Sequence, residues 1–382
     1  MKHLVRPWAA LVVLAAVGFG IASADTSGTE PPDPEPGTAA LDSAPAVAIV
    51  ATEPTTGRSE LYVVGPTGDD GAASESLRPL ASWSHLAEGN VRAETLPASD
   101  SVVANAPVTP GRDTSFNGGL FTLRPGVEPV ELCRDLVHGS RPLVTAAGRV
   151  YVARGRAGPW PSEPGSYRVD TLWIDEVDPH SGSLRRVHQA QGYVTHLAAW
   201  HEAELILYRV APHGADLVAV HAETGSVRPV RSPVQPFARD FSVDHQRGVL
   251  VFRSRHESDS RRWTIEELDL RTGAMRRVYE GPTFALAPHV WPGGGLAFSP
   301  RRSGWTLLGS GDPVARPLGR GVDVLRSVSP DRRYVAALHT VQGTLGVPFV
   351  VDRRSGRAAR LAAPAGRRVA VAGFVTAPEG SP

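Results

Sequence analysis

The chain has 382 residues with 40 basic and 39 acidic side chains, and this balance gives no electrostatic reason to expect nucleic acid or an anionic membrane as a partner. Strong helix-forming blocks are absent, whereas 39 Gly and 34 Pro punctuate short apolar runs, the composition of a protein made of strands and turns. The single cysteine, Cys133, excludes an internal disulfide, and a chain this long can rest on a large core instead.

Residues 1–24 read as a secretory signal. Lys2, His3 and Arg6 make a basic start, and Trp8 to Ile21 is apolar but shorter than the about 20 residues that span a bilayer. Ala22-Ser23-Ala24 supplies the small residues a signal peptidase requires. Cleavage near Ala24 predicts an exported protein, periplasmic or extracellular; an uncleaved anchor is the other reading of this segment and the only membrane contact expected. Loss of Lys2 and Arg6 leaves 38 basic against 39 acidic residues. Lys2 is the only lysine, and the arginine excess is read as the codon usage of a GC-rich genome, with no functional expectation attached. Residues 25–45, with Glu30-Pro31-Pro32-Asp33-Pro34-Glu35-Pro36-Gly37, cannot hold a regular ladder and have little to bury, so a disordered tether is predicted there.

From Ala46 onward one unit recurs: an apolar run, a loop, a second apolar run, a Gly-containing turn, and a short strand rich in Arg. The second run and its turn recur as Leu172-Trp173-Ile174 through Gly182, Leu217-Val218-Ala219 through Gly225, Trp263-Thr264-Ile265 through Gly273, and Phe349-Val350-Val351 through Gly356. Weaker copies begin at Leu61, Leu120 and Trp305. Gly supplies positive φ in such hairpins while Asp, Ser or Thr bonds the turn backbone. The strands that follow, such as Leu184-Arg185-Arg186-Val187 and Met275-Arg276-Arg277-Val278, suit a sheet edge facing water. Seven copies share the 337 residues of 46–382, about 48 each, close to the length of a four-stranded propeller blade.

A second signature opens several units. Its clearest copy is Arg326-Ser327-Val328-Ser329-Pro330-Asp331-Arg332-Arg333-Tyr334-Val335, with relatives at Asp240 to Phe252 and His196 to Tyr208. Here the sequence resembles the TolB-like, WD-repeat-like propeller family, whose blades carry a Ser-Pro-Asp-Gly turn between their first and second strands; Arg332 stands where the family prefers Gly. The resemblance implies an all-β, seven-bladed β-propeller over 46–382 and interaction work in the cell envelope. The ends fit that expectation. The first unit starts at Ala46 without an inner strand, and Arg368 to Val375 is left over after the last, so the C-terminal strand is predicted to complete the first blade.

Catalytic chemistry finds little support. No Gly-x-Ser-x-Gly elbow occurs, and Gly293-Gly294-Gly295 lies in a turn between strands instead of ahead of a helix. His196, His201 and Glu202 are near one another, but on a strand and its turn they are expected to be solvent-facing or structural, and no metal or other cofactor is predicted. Cys133 reads as a small buried hydrophobe. Asp175, Glu176, Asp178 and Glu266, Glu267, Asp269 occupy corresponding repeat positions, which predicts cross-strand pairs with Arg185, Arg186, Arg276 and Arg277 on a solvated outer face. Six of the eight Trp fall in or beside repeated strands and are expected to pack between blades, with Trp83, Trp200 and Trp291 near the ends of inner strands. Residues 154–166 read as a long loop carrying Trp160 between two prolines, the first residue expected to contact a partner.

The expectation is an exported, non-catalytic binding protein for a protein or glycan partner. Its alternative is a metal-dependent propeller lyase or lactonase. The channel lining separates them: three or more His, Asp or Glu in ligand reach would indicate the enzyme, and Ala, Val and Ser the binding protein.

Overall fold

A computed structural model describes residues 41, 44–66, 77–87, 90–109, 116–159, 167–191, 194–211, 214–282, 286–300, 305–313, 321–341 and 346–375. The signal segment, most of the tether and Trp160 lie outside these. Every regular element among the described residues is a β-strand. The first sheet holds β1 (Val47–Thr52), β2 (Arg58–Val64) and β3 (Ala81–Ser84). Next come β4 (Arg92–Thr95), β5 (Val102–Pro107), β6 (Gly118–Arg124) and β7 (Val127–Leu136), then β8 (Leu143–Val144), β9 (Val150–Pro159), β10 (Tyr167–Val177) and β11 (Leu184–Gln191). These two meanders are joined into one eight-stranded sheet by a single pairing, Leu136 with Arg154. The fourth unit is β12 (Val194–His201), β13 (Glu204–Ala211), β14 (Gly214–His221) and β15 (Val227–Val234). The fifth is β16 (Arg239–Asp244), β17 (Val249–Arg255), β18 (Trp263–Asp269) and β19 (Met275–Gly281). Three strands follow, β20 (His289–Val290), β21 (Leu296–Phe298) and β22 (Thr306–Leu308). The last unit is β23 (Val322–Val328), β24 (Tyr334–Thr340), β25 (Val347–Asp352) and β26 (Ala358–Arg360).

The final strand, β27 (Arg368–Phe374), closes the array as the leftover segment predicted. It runs antiparallel to β1, from Val47 opposite Phe374 to Thr52 opposite Arg368, and Val375 N–H donates to Ala46 O at 3.0 Å. Sheet order β27-β1-β2-β3 therefore combines both ends of the chain. Leu41 is buried in the same core as β27, so the folded body reaches beyond the expected start at Ala46.

The core explains why the second strand of each unit reads as an unbroken apolar run. Side chains along a strand alternate faces, and here both faces are covered by another sheet. Val47, Ile49 and Ala51 of β1 pack with the last unit, while Ala48 and Val50 pack with β5 and β6. Leu205 and Leu207 of β13 meet the third unit, and Ile206 and Tyr208 meet the fifth. Each of the seven apolar clusters among the described residues lies between units adjacent in chain order, and one joins the last to the first. Such a cycle is the arrangement of a propeller.

The outer-strand pairs have the predicted register but not the predicted setting. Asp175 lies opposite Arg186, Glu176 opposite Arg185, Glu266 opposite Arg277, and Glu267 opposite Arg276. Asp175 is only 1% exposed, however, and is held by Arg186 at 2.5 Å and by Arg154 at 3.0 Å. Arginine stems fold over the third strand and shield Asp175, Glu266 and Glu267, so these carboxylates are buried beneath arginines that themselves face water. Asp178 and Asp269 serve the turns: the Oδ1 of Asp178 accepts from the backbone of His180 and Ser181 at 2.8 Å. Two further expectations need correction. Trp83 sits on the outer strand β3, not near an inner one. Residues 154–159 are not loop but the end of β9, paired with the start of β10 from Tyr167 opposite Pro159 onward. Since β11 pairs β10 only from Thr171, the end of this hairpin extends past the rest of its sheet.

Candidate functional site: an arginine-lined channel

The first strand of each unit forms the inner wall: β27, β4, β8, β12, β16, β20 and β23. Along most of the circle these strands lie side by side, β27 with β4, β4 with β8, β8 with β12, β12 with β16, β16 with β20, and β23 with β27. Cross-links tie them, as where Val290 N–H donates to Ser242 Oγ at 3.0 Å and Phe374 N–H to Ser327 Oγ at 3.4 Å. Antiparallel pairing starts each inner strand on the face where the second and third strands connect. Arg92 opens β4, Arg239 opens β16 and His289 opens β20, so they stand toward the face on which the β9–β10 hairpin extends.

β-Bulges shape this wall. The pairing of β16 slips between Arg239 and Ser242, and that of β23 between Leu325 and Ser327, leaving Asp240 and Arg326 in the bulged segments. A bulge re-aims side chains that a regular ladder would fix. Asp240 also has φ of 56°, a conformation costly for a side chain other than Gly, and its Oδ2 lies 2.9 Å from Arg253 Nε.

Arginines from different units converge here. Arg141, just before β8, reaches β23 of the last unit, where its Nη2 donates to Arg326 O at 3.2 Å. It also forms an ion pair with Glu94 of β4. The Nε of Arg92 donates to Gly139 O at 3.3 Å. Arg239 donates to Ala238 O at 2.7 Å and rests 5.9 Å from the Tyr208 ring. Water still reaches the groups, since Arg141 keeps 29% and Glu94 21% of their side chains exposed. Among the described residues the lining thus holds five guanidinium groups, Arg92, Arg141, Arg239, Arg253 and Arg326, against the carboxylates of Glu94 and Asp240. Among the described residues no carboxylate forms an ion pair with Arg92, Arg239 or Arg326.

The electrostatic consequences follow from enclosure and like charge. Burial, then Arg326 and Arg92, holds Arg141 well below the ordinary guanidinium range. Burial and Arg92 bring Arg326 down to about 10, against the opposing pull of Asp240. His289 falls to about 3 through burial and the charges of Arg326 and Arg141, and His196 to about 4 through burial and Arg239. Both imidazoles are therefore neutral near pH 7. An enclosed surplus of positive charge concentrates anions, and guanidinium forks match the oxygens of carboxylates and phosphates.

This lining is neither of the two expected. No group of three or more His, Cys, Asp or Glu among the described residues could hold a metal ion, and arginine stands where Ala, Val and Ser were the expectation for a binding protein. The arginine excess attributed to codon usage thus includes residues with a common location. Local spacing hid it, because the arginines belong to different units; the available signal was arginine at the first position of three inner strands, β4, β16 and β27. His196 and His201 are not brought together. His196 lies on the channel wall 6.1 Å from the Tyr208 ring, whereas His201 stacks on His245 at 5.7 Å beside Glu202. Cys133 is buried, with its thiol pushed up to about 11 chiefly by burial.

No family model matches the chain, and no curated protein matches it. Several solved structures are similar in fold. TolB from Acinetobacter baumannii is 12% identical with a TM-score of 0.47, over 86% of this chain and 67% of that one. A nidogen/laminin complex is 10% identical with a TM-score of 0.42, over 86% and 97%. A prolyl endopeptidase is 14% identical with a TM-score of 0.47, over 86% of this chain and 50% of that one. The strand order, the closing strand and the cycle of interfaces make this chain an all-β propeller.

Proposed function

We propose that the protein is an exported, non-catalytic propeller that binds a protein or glycan partner on the face where the channel arginines and the β9–β10 hairpin stand together. The observation that carries this reading is the surplus of guanidinium groups on the inner wall, which favours a partner presenting acidic groups. The hairpin adds a second contact, with Trp160 in its connecting segment. Export rests on the basic, apolar and small-residue pattern of residues 1–24. The alternative, a metal-dependent lyase or lactonase, has no ligand set among the described residues to favour it.

The test is capture from an envelope extract of the native host by wild-type protein, by Trp160→Ala, and by a variant with residues 157–169 replaced by a two-residue turn. One species retained by wild type and lost from both variants, at unchanged circular dichroism, is expected. Equal capture by all three would contradict the reading.

A further inference from the structure

Beyond any macromolecular partner, the inner wall has the makings of a small-molecule site. Arg141 spans from the third unit to the last and its Nη2 donates to Arg326 O at 3.2 Å, so the guanidinium of Arg141 ends where the side chain of Arg326 begins. Arg92 lies at the start of the neighbouring inner strand, held to Gly139 O. Glu94 pairs with Arg141, and Asp240 is 2.9 Å from Arg253. Among the described residues no ion pair reaches Arg92 or Arg326, and only the longer-range charge of Asp240 offsets their repulsion. A cluster of like charges on rigid strands destabilises the unliganded fold, and an anion of matching charge removes that penalty. Neutral His289 beside Arg326 and Arg141 adds a hydrogen-bonding group without adding charge.

We propose that the channel binds one small oxyanion of charge two or more, a phosphate, phosphate monoester or polycarboxylate, between Arg92, Arg141 and Arg326. Planar guanidinium groups arriving from three units can each offer N–H donors, which suits a compact group with several oxygens better than a single carboxylate or a halide. The anion takes the counter-charge role that Asp240 fills for Arg253. This site does not require the partner proposed above and can fail or stand separately.

The experiment is calorimetric titration and thermal unfolding of the folded protein with inorganic phosphate and with citrate, against sodium chloride at matched ionic strength. Saturable binding of phosphate or citrate with a rise in Tm, and no saturable effect of chloride, is expected; the stronger of the two oxyanions identifies the chemistry preferred. Arg326→Gln and Arg92→Gln should each raise the Tm of the unliganded protein by relieving repulsion and weaken the anion at least tenfold. Arg276→Gln, on an outer strand, should leave the affinity unchanged. Absence of saturable binding by both oxyanions, or equal affinity in wild type, Arg326→Gln and Arg92→Gln, would overturn the proposal.

Discussion

Arg332 shows how a single residue can depart from a motif and still keep its geometry. It follows Ser329-Pro330-Asp331 and has φ of 57°, the left-handed conformation that Gly adopts without strain. The turn survives because the Oγ of Ser329 accepts from Tyr334 N–H at 2.9 Å and donates to Asp331 at 2.5 Å. The sequence displayed this turn plainly, since its bonds are local. It could not display the environment of His196 and His289, which depends on Arg239, Arg141 and Arg326 arriving from elsewhere. That environment makes a pH prediction. Both folded-state pKa values lie below the free imidazole value, so their contribution is fully present above pH 6.5 and is lost as the pH falls from 6.5 toward about 4 and 3. At most about 1.4 kcal/mol per pH unit is lost for each group, or roughly 3 kcal/mol for both between pH 6.5 and 5. Urea unfolding across that range should show a flatter pH dependence in a His196→Gln, His289→Gln double variant. An identical slope would contradict the assignment.

At the scale of the element, pattern predicted pairing better than it predicted exposure. The register of Glu and Asp against Arg on β10–β11 and β18–β19 follows from strand alternation and the Gly turn, both readable in sequence. Burial of Asp175 does not, because it needs the stem of Arg154 from β9 as well as that of Arg186 from β11. Asp175→Ala leaves two guanidinium groups without their shared carboxylate and should cost about 3 kcal/mol. Asp170→Ala breaks an exposed pair with Arg156 and should change stability by less than about 1 kcal/mol. Chemical denaturation of the two variants compares them directly, and equal costs would contradict the shielding described. The β9–β10 hairpin was misread for a different reason. Gly155 and Gly158 look like turn residues, yet both lie in a strand, and a Cβ on Gly155 would come within 2.4 Å of the Phe116 ring and 2.8 Å of Thr171 O. Glycine there permits close packing, a use of glycine that sequence alone does not distinguish from a turn.

For the whole molecule, the repeating unit was legible because each second strand must be apolar on both faces when sheets stack in a circle. The closing strand was legible as a missing first strand at one end and a spare one at the other. The channel was not, because its arginines share a place only after the circle forms. Stability of the array depends on that closure. β27 contributes Val369, Val371 and Phe374 to the interface between the last and first units, and Ala372 to the interface between the first and second. The decisive measurement is thermal and urea unfolding of a chain truncated before Arg367. The account predicts loss of the cooperative transition and exposure of apolar surface to a hydrophobic dye. A truncated chain that unfolds at the same midpoint and with the same cooperativity as the full one would contradict it.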